Sequence, residues 1–288
     1  MKKKVPKWLS TLLLVFIFVA GLSLLLYPTI SDWWNSLHQS RAIVDYEAAA
    51  AALTPEDYTQ YFAAAEAYNE HLRATAYPLT DYEALSDEYN EALNPQGNGI
   101  IGYIHIDAID VEIPLYHGTS EAVLNTAAGH LEGSTLPIGG ESTHAVISAH
   151  RGLPSAKLFT NLDKLVVGDT FYLVVLDRVL TYEIDQIRIV LPEEVDALTI
   201  TEGEDYCTLL TCTPYGINTH RMLVRGTRIE NPEEAESIRV TADAVQIRTI
   251  LVALALGIPV LLILALIVFL RPKKKNVLKE AEAYVRTS

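Results

Sequence analysis

Ile109-Asp110-Val111-Glu112-Ile113-Pro114-Leu115 places an apolar side chain at every second position, with Asp110 and Glu112 between them. Successive side chains of an extended chain point to opposite faces, so this alternation predicts a half-buried strand. Working toward the C-terminus, His144–Ser148 predicts a short strand. Thr170–Leu176 and Val179–Val190 predict a pair joined at Asp177-Arg178, and Tyr206–Cys212 and Arg221–Ile229 predict two more. From Ile100 onward strands dominate with few helical intervals, which favours an antiparallel barrel or sandwich.

Toward the N-terminus, Asn94-Pro95-Gln96-Gly97-Asn98-Gly99 is a strong breaker, and the chain before it reads helical. Segment 32–52 is rich in alanine, a strong helix former. Thr54-Pro55-Glu56-Asp57 predicts a helix start, with Thr as cap, Pro first and acidic residues in the first turn. Tyr58, Phe62, Ala65, Tyr68 and Leu72 then recur at helical spacing. Thr80 with Glu83 gives a second capping box, followed by Leu85, Tyr89 and Leu93.

Two apolar runs flank this region. Trp8–Tyr27 follows Lys2, Lys3, Lys4 and Lys7; Thr249–Leu270 precedes Arg271, Lys273, Lys274 and Lys275. Each is about the 20 residues a helix needs to cross the hydrocarbon layer. The flanking lysines place both ends in the cytoplasm. The expected layout is a cytoplasmic start (1–7), a membrane helix (8–30), an extracellular helical region (31–98), a strand-rich domain (99–232), a linker (233–248), a second membrane helix (249–270) and a cytoplasmic tail (271–288). A cleaved signal peptide is the alternative for the first run. The length of the run, the lack of a small-x-small cleavage site, and Pro28, Trp33 and Trp34 at its end favour an anchor.

The net charge of −14 hides an asymmetry: residues 31–248 hold 12 Lys and Arg against 34 Asp and Glu. Such a surface repels phosphate backbones and argues against a nucleic-acid partner. Nothing resembles a calcium-binding loop, and no Cys-x-x-Cys pair suggests a metal, so no cofactor is expected. The only cysteines are Cys207 and Cys212. On one strand, five residues separate them by about 16 Å, too far for a disulfide. Two free thiols on an exported domain suggest that at least one is used.

Cys212 ends a predicted strand, and Pro214-Tyr215-Gly216 breaks the chain just after it, so its thiol can face both a pocket and solvent. Cys207, inside the strand, fits a small buried hydrophobe. Arg221, Arg225 and Arg228 open the next strand and are candidates to favour the thiolate. His150 stands at the end of the apolar run Ala145–Ala149, placed to reach a cleft. A Cys/His pair suggests acyl transfer: a thiolate attacks a carbonyl, an imidazolium protonates the departing amine, and a donor stabilises the oxyanion.

These residues lie in longer motifs. Thr208-Leu209-Leu210-Thr211-Cys212 matches the Thr-Leu-x-Thr-Cys signature of sortases. Thr211–Arg221, His150–Phe159, Leu115–Ser120 and Gly129–Gly133 resemble class C, the pilin-polymerising sortases, and the resemblance covers roughly 85–230. It implies a mostly β fold, a closed barrel of about eight strands, with an N-terminal helical segment and two flanking transmembrane helices. It implies a membrane-bound transpeptidase of a Gram-positive bacterium, with Cys212 as nucleophile, His150 as acid/base and Arg221, chosen over Arg225 and Arg228, holding the substrate carbonyl. Thr211, Tyr215 and Asn218 would support them. The expected partners are a Leu-Pro-x-Thr-Gly-like sorting signal, cleaved at Thr–Gly, and an amine acceptor, a pilin lysine. The alternatives are peptidoglycan as acceptor, a thiol hydrolase and a non-enzymatic binding module. One motif departs from the pattern: the Asp-Pro-aromatic lid of class C is absent from Tyr77-Pro78-Leu79-Thr80-Asp81-Tyr82, leaving Asp81 and Tyr82 as candidate substitutes.

Overall fold

The computed structural model describes residues 7–74, 86–233 and 235. Eight strands close into a barrel: β1 (Ile100–Ile106), β2 (Val111–His117), β3 (Ala128–His130), β4 (Thr143–Ser148), β5 (Thr170–Val175), β6 (Arg178–Val190), β7 (Asp205–Thr213) and β8 (His220–Ile229). The spatial order is β1-β2-β3-β4-β7-β8-β6-β5, with β5 pairing back onto β1. Closure leaves no open sheet edge and decides for the barrel over the sandwich. It is not purely antiparallel, because β2 pairs with β3, and β4 with β7, in parallel. The predicted strand at Ile109 begins later, at Val111. A short 3-10 turn takes Asp107–Ile109, and Asp110 turns the chain in a left-handed conformation (φ 52°).

Side-chain parity sorts the strands into two packed faces. Ala145, Ile147, Cys207, Leu209, Met222 and Val224 point inward and belong to the main core. Their neighbours Val146, Leu210 and Leu223 point outward and form a second, smaller cluster with Val190 and Leu198. Leu198 lies in the β6–β7 connection, which folds over this outer face and buries it.

The apolar run and the alanine-rich segment form one continuous helix, α1 (Lys7–Ala51), with Pro28 inside it. Its barrel-facing residues Ile43, Tyr46 and Ala50 recur at helical spacing and are buried. The Tyr46 hydroxyl donates to the carbonyl of Ile101 (2.9 Å) and accepts from the amide of Leu176 (2.7 Å), so the buried oxygen is satisfied on both sides. A second helix, α2 (Pro55–Ala74), starts as the sequence predicts. Asp57 accepts from the Thr54 amide and hydroxyl, and Thr54 Oγ1 accepts from the Asp57 amide. A short α3 (Ser86–Glu91) brings Tyr89 into the core, and α4 (Glu121–Leu124) bridges β2 and β3. The capping box at Thr80 and Glu83, the lid candidates Asp81 and Tyr82, most of the linker and the second apolar run lie outside the described residues.

Candidate active site

Cys212 is the next-to-last residue of β7, directly opposite Arg221 of β8. Opposed residues of an antiparallel pair project to the same face, with Cβ atoms about 5 Å apart. On its other side β7 pairs in parallel with β4, with Ser148 level with Leu210. That register continues past the strand end: the Ala149 amide donates to the Leu210 carbonyl (3.2 Å), and Thr211 Oγ1 donates to the Ala149 carbonyl (2.8 Å). One residue further along each chain, His150 comes level with Cys212. Cys212 and Arg221 thus stand side by side on two neighbouring strands, His150 follows two residues beyond the end of β4, and all three are partly exposed. Each lies at the end of a line of outward residues: Val146 and Ser148 lead to His150, Leu210 to Cys212, and Leu223 to Arg221. The outer apolar cluster forms the floor from which they rise.

The turn after Cys212 shapes the rest. The Thr213–Pro214 bond is cis, and the amides of Ile217 and Asn218 both donate to the Pro214 carbonyl. Asn218 adopts a left-handed conformation (φ 59°), and its carbonyl accepts from Arg221 Nη1 (3.2 Å). Nη1 also donates to the His220 carbonyl (3.1 Å), leaving Nε and Nη2 without hydrogen-bond partners among the described residues. Tyr215, 60% exposed, lays its ring over Gly152, where a Cβ would come within 2.8 Å of the ring. Arg151 ties the same two loops together. Its guanidinium pairs with Asp163 and reaches Thr213 Oγ1 (3.4 Å). Thr211, Tyr215 and Asn218 therefore all contact the loop of His150 or the side chain of Arg221. Sequence reading had left Arg151 without a role.

The other arginines are engaged elsewhere. Arg225 makes a two-pronged pair with Asp185, which sits at an irregularity in the β6–β8 ladder, and stacks 4.0 Å over the Tyr206 ring. Arg228 donates to the carbonyls of Thr181 and Ile229. Cys207 faces the interior with no exposure, and burial pushes its thiol well above the ordinary range. His144 points outward beneath the site, with Nδ1 2.9 Å from the Thr199 carbonyl and Nε2 2.7 Å from Thr208 Oγ1. Burial pushes it down to about 4, so it is a neutral strut that pins the β6–β7 connection. Among the described residues no group of three or more His, Cys, Asp or Glu side chains could hold a metal ion.

A thiol, an imidazole and a guanidinium so placed can perform acyl transfer, and comparison with known proteins points the same way. The sortase domain family matches residues 104–229. The crystal structure of sortase C1 from Streptococcus agalactiae is 48% identical and superposes with a TM-score of 0.65, covering 67% of this chain and all of that one. The chain belongs to the sortase family. Sortase C from Streptococcus pneumoniae, studied for its pilin substrate specificity, is also similar to this sortase: 46% identity and a TM-score of 0.59, over 66% of this chain and 97% of that one. Sortase A from Streptococcus agalactiae serotype III (strain NEM316) is 30% identical over 144 residues, 48% of this chain and 58% of that protein. Sequence reading of this sortase overlooked the β6–β7 connection and its apolar contacts Val190 and Leu198. Val190 pairs with Arg221 and so belongs to the wall beside it. Its only sequence signal was its place at the end of a predicted strand.

Proposed function

We propose that this sortase is a membrane-anchored cysteine transpeptidase of the pilin-polymerising class C, acting on a Leu-Pro-x-Thr-Gly-like sorting signal. The observation that carries the reading is the pairing of Cys212 with Arg221 across β7 and β8, with His150 two residues past the end of β4, the strand that pairs with β7 on its other side. The Cys212 thiolate attacks the carbonyl carbon of the Thr–Gly bond. A C–S bond forms, and the carbonyl oxygen takes the displaced electron pair. Nε and Nη2 of Arg221 donate to that oxyanion. On collapse the C–N bond breaks, and the His150 imidazolium gives its proton to the departing glycine amine. An acceptor amine, losing a proton to His150, then attacks the thioester; the new amide forms and the C–S bond breaks. The floor of Val146, Leu210 and Leu223 excludes water from below, which strengthens each charge interaction above it.

Similarity to the streptococcal sortases C1 and C supports a pilin lysine over peptidoglycan as the acceptor. The anchor is α1, whose segment Val15–Ala51 is long and apolar enough to cross a membrane. The test is mass spectrometry of the protein incubated with a Leu-Pro-x-Thr-Gly peptide, beside Cys212→Ala. An adduct on Cys212, absent from the variant and released by an added amine as a new amide, is expected. Release by water alone with amines in excess would make the protein a hydrolase, and an unreactive Cys212 would sink the enzymatic reading.

A further inference from the structure

α1 touches the barrel near its C-terminal end through Tyr46 and again, soon after its apolar run, through Asp32 and Asn35. The second contact falls on the β4–β5 connection that begins with His150. Asn35 Nδ2 donates to the Ser155 carbonyl (2.6 Å), and Asp32 Oδ1 accepts from the Lys157 amide (2.7 Å). Three residues apart, the two side chains leave the helix on one face and grip the loop at two points.

The grip lies close to His150 along the hydrogen-bond network. Lys157 precedes Leu158, which holds a left-handed conformation (φ 36°) that is unfavourable for a non-glycine residue and persists only where its surroundings impose it. That conformation aims the next amide, of Phe159, at the His150 carbonyl (3.1 Å). The return limb is stitched once more, where the Gly152 amide donates to Thr160 Oγ1 (3.1 Å). From helix to histidine the path is therefore Asp32, the Lys157 amide, strained Leu158, the Phe159 amide and the His150 carbonyl.

We propose that Asp32 and Asn35 are positioning residues for His150, which makes the juxtamembrane turn of the anchor helix a working part of the active site. The role rests on the acid/base function proposed above for His150. With the grip released, Leu158 relaxes, Phe159 loses its aim, and His150 no longer stays level with Cys212. A misplacement of about 1 Å at a reacting group can cost on the order of 100-fold in rate. Two side-chain bonds to a loop that keeps its other ties should cost about tenfold.

The test uses the full-length chain in lipid nanodiscs and compares Asp32→Ala/Asn35→Ala, Asp32→Asn and Gln39→Ala. Gln39 also bonds α1 to the barrel, but at the Thr126 carbonyl, away from this loop. The double variant should exchange its amide hydrogens faster over residues 155–159. Its kcat for transfer of a sorting peptide should fall about tenfold, with KM within twofold and the melting temperature near that of the parent. Asp32→Asn retains an acceptor oxygen and should recover most of the rate, and Gln39→Ala should match the parent. Unchanged loop exchange in the double variant, or an equal loss of rate in Gln39→Ala, would overturn the role. A parent protein with no transfer activity would instead overturn the proposed function, and loop exchange would still report on the grip.

Discussion

Acid should destabilise this barrel well above the range in which carboxylates protonate, because three histidines, two buried and one half-buried, are held neutral. His130 is enclosed, with Nδ1 3.0 Å from the Tyr89 hydroxyl and Nε2 2.8 Å from the Thr135 carbonyl; burial pushes it down to about 3. His117 packs edge-on against the Tyr89 ring at 4.7 Å, and burial takes it to about 4, as it does His144. In the unfolded chain each titrates near 6.5. Folded values below unfolded ones mean that the full contribution is present above about pH 6.5 and is lost as pH falls toward 4. Across that window unfolding takes up as many as three protons, a slope approaching ~4 kcal/mol per pH unit. By pH 5 the loss is roughly 2 kcal/mol per histidine, so ~6 kcal/mol for three, against a typical total of about 5–15 kcal/mol. Urea unfolding followed by tryptophan fluorescence and circular dichroism at pH 7.5, 6 and 5 reads this directly. His117→Phe keeps a ring against Tyr89 and removes one titrating group, so it should cut the slope by about a third. Stability that stays flat from pH 7.5 to 5, or a slope that His117→Phe leaves unchanged, would refute the reasoning.

Arg221→Lys should lower kcat by about 100-fold while Cys212 still reacts with a small alkylating reagent, because a point ammonium cannot replace two fixed donors at the oxyanion. Gly152→Ala forces a side chain into a left-handed position (φ 79°) beneath the Tyr215 ring. Peptide transfer should fall about tenfold, with a stability loss of ~1–2 kcal/mol in denaturant titration. Leu198→Ala opens the outer cluster under the site and should cost about 2–4 kcal/mol, with faster amide exchange over residues 195–200. In the folded protein a thiol reagent followed by mass spectrometry should label Cys212 and spare Cys207, which becomes reactive only on unfolding.

Part of this fold is legible because some strands, such as Val111–His117, keep an exposed residue between buried ones, while β4 and β5 are buried on both faces and read only as short apolar runs. Val111–Leu115 announces itself by alternation, whereas the turn expected at Asp177-Arg178 falls one residue earlier, at Leu176-Asp177, with Arg178 already paired opposite Val175. Ala128–His130 gives no such signal, since three residues hold no period and the strand exists only through pairing with β2 and β4. The cysteine, histidine and arginine proposed for the site come from chemistry and motif, and the pairing of Cys212 with Arg221 follows from a register that no local pattern encodes. Asp32 and Asn35 were invisible for a related reason. They read as polar residues after an apolar run, and their partners lie 125 and 120 positions away in the chain. The single length of α1 was obscured by Pro28 and by the change from apolar to alanine-rich composition, neither of which interrupts the helix.

That uninterrupted helix has a mechanical consequence. At about 1.5 Å per residue its 45 residues measure roughly 68 Å, and Asp32 stands only about 8 Å beyond Tyr27. If α1 is the anchor, the barrel rides on a stiff mast rather than a slack tether, and the thiol keeps a near-constant height above the lipid. The mast has one soft joint, because Pro28 leaves the Leu24 carbonyl without its helical partner. On that reading, bending there would tilt the head relative to the bilayer without detaching it, and encounters with a partner bound to the same membrane would become a search over a surface instead of through a volume.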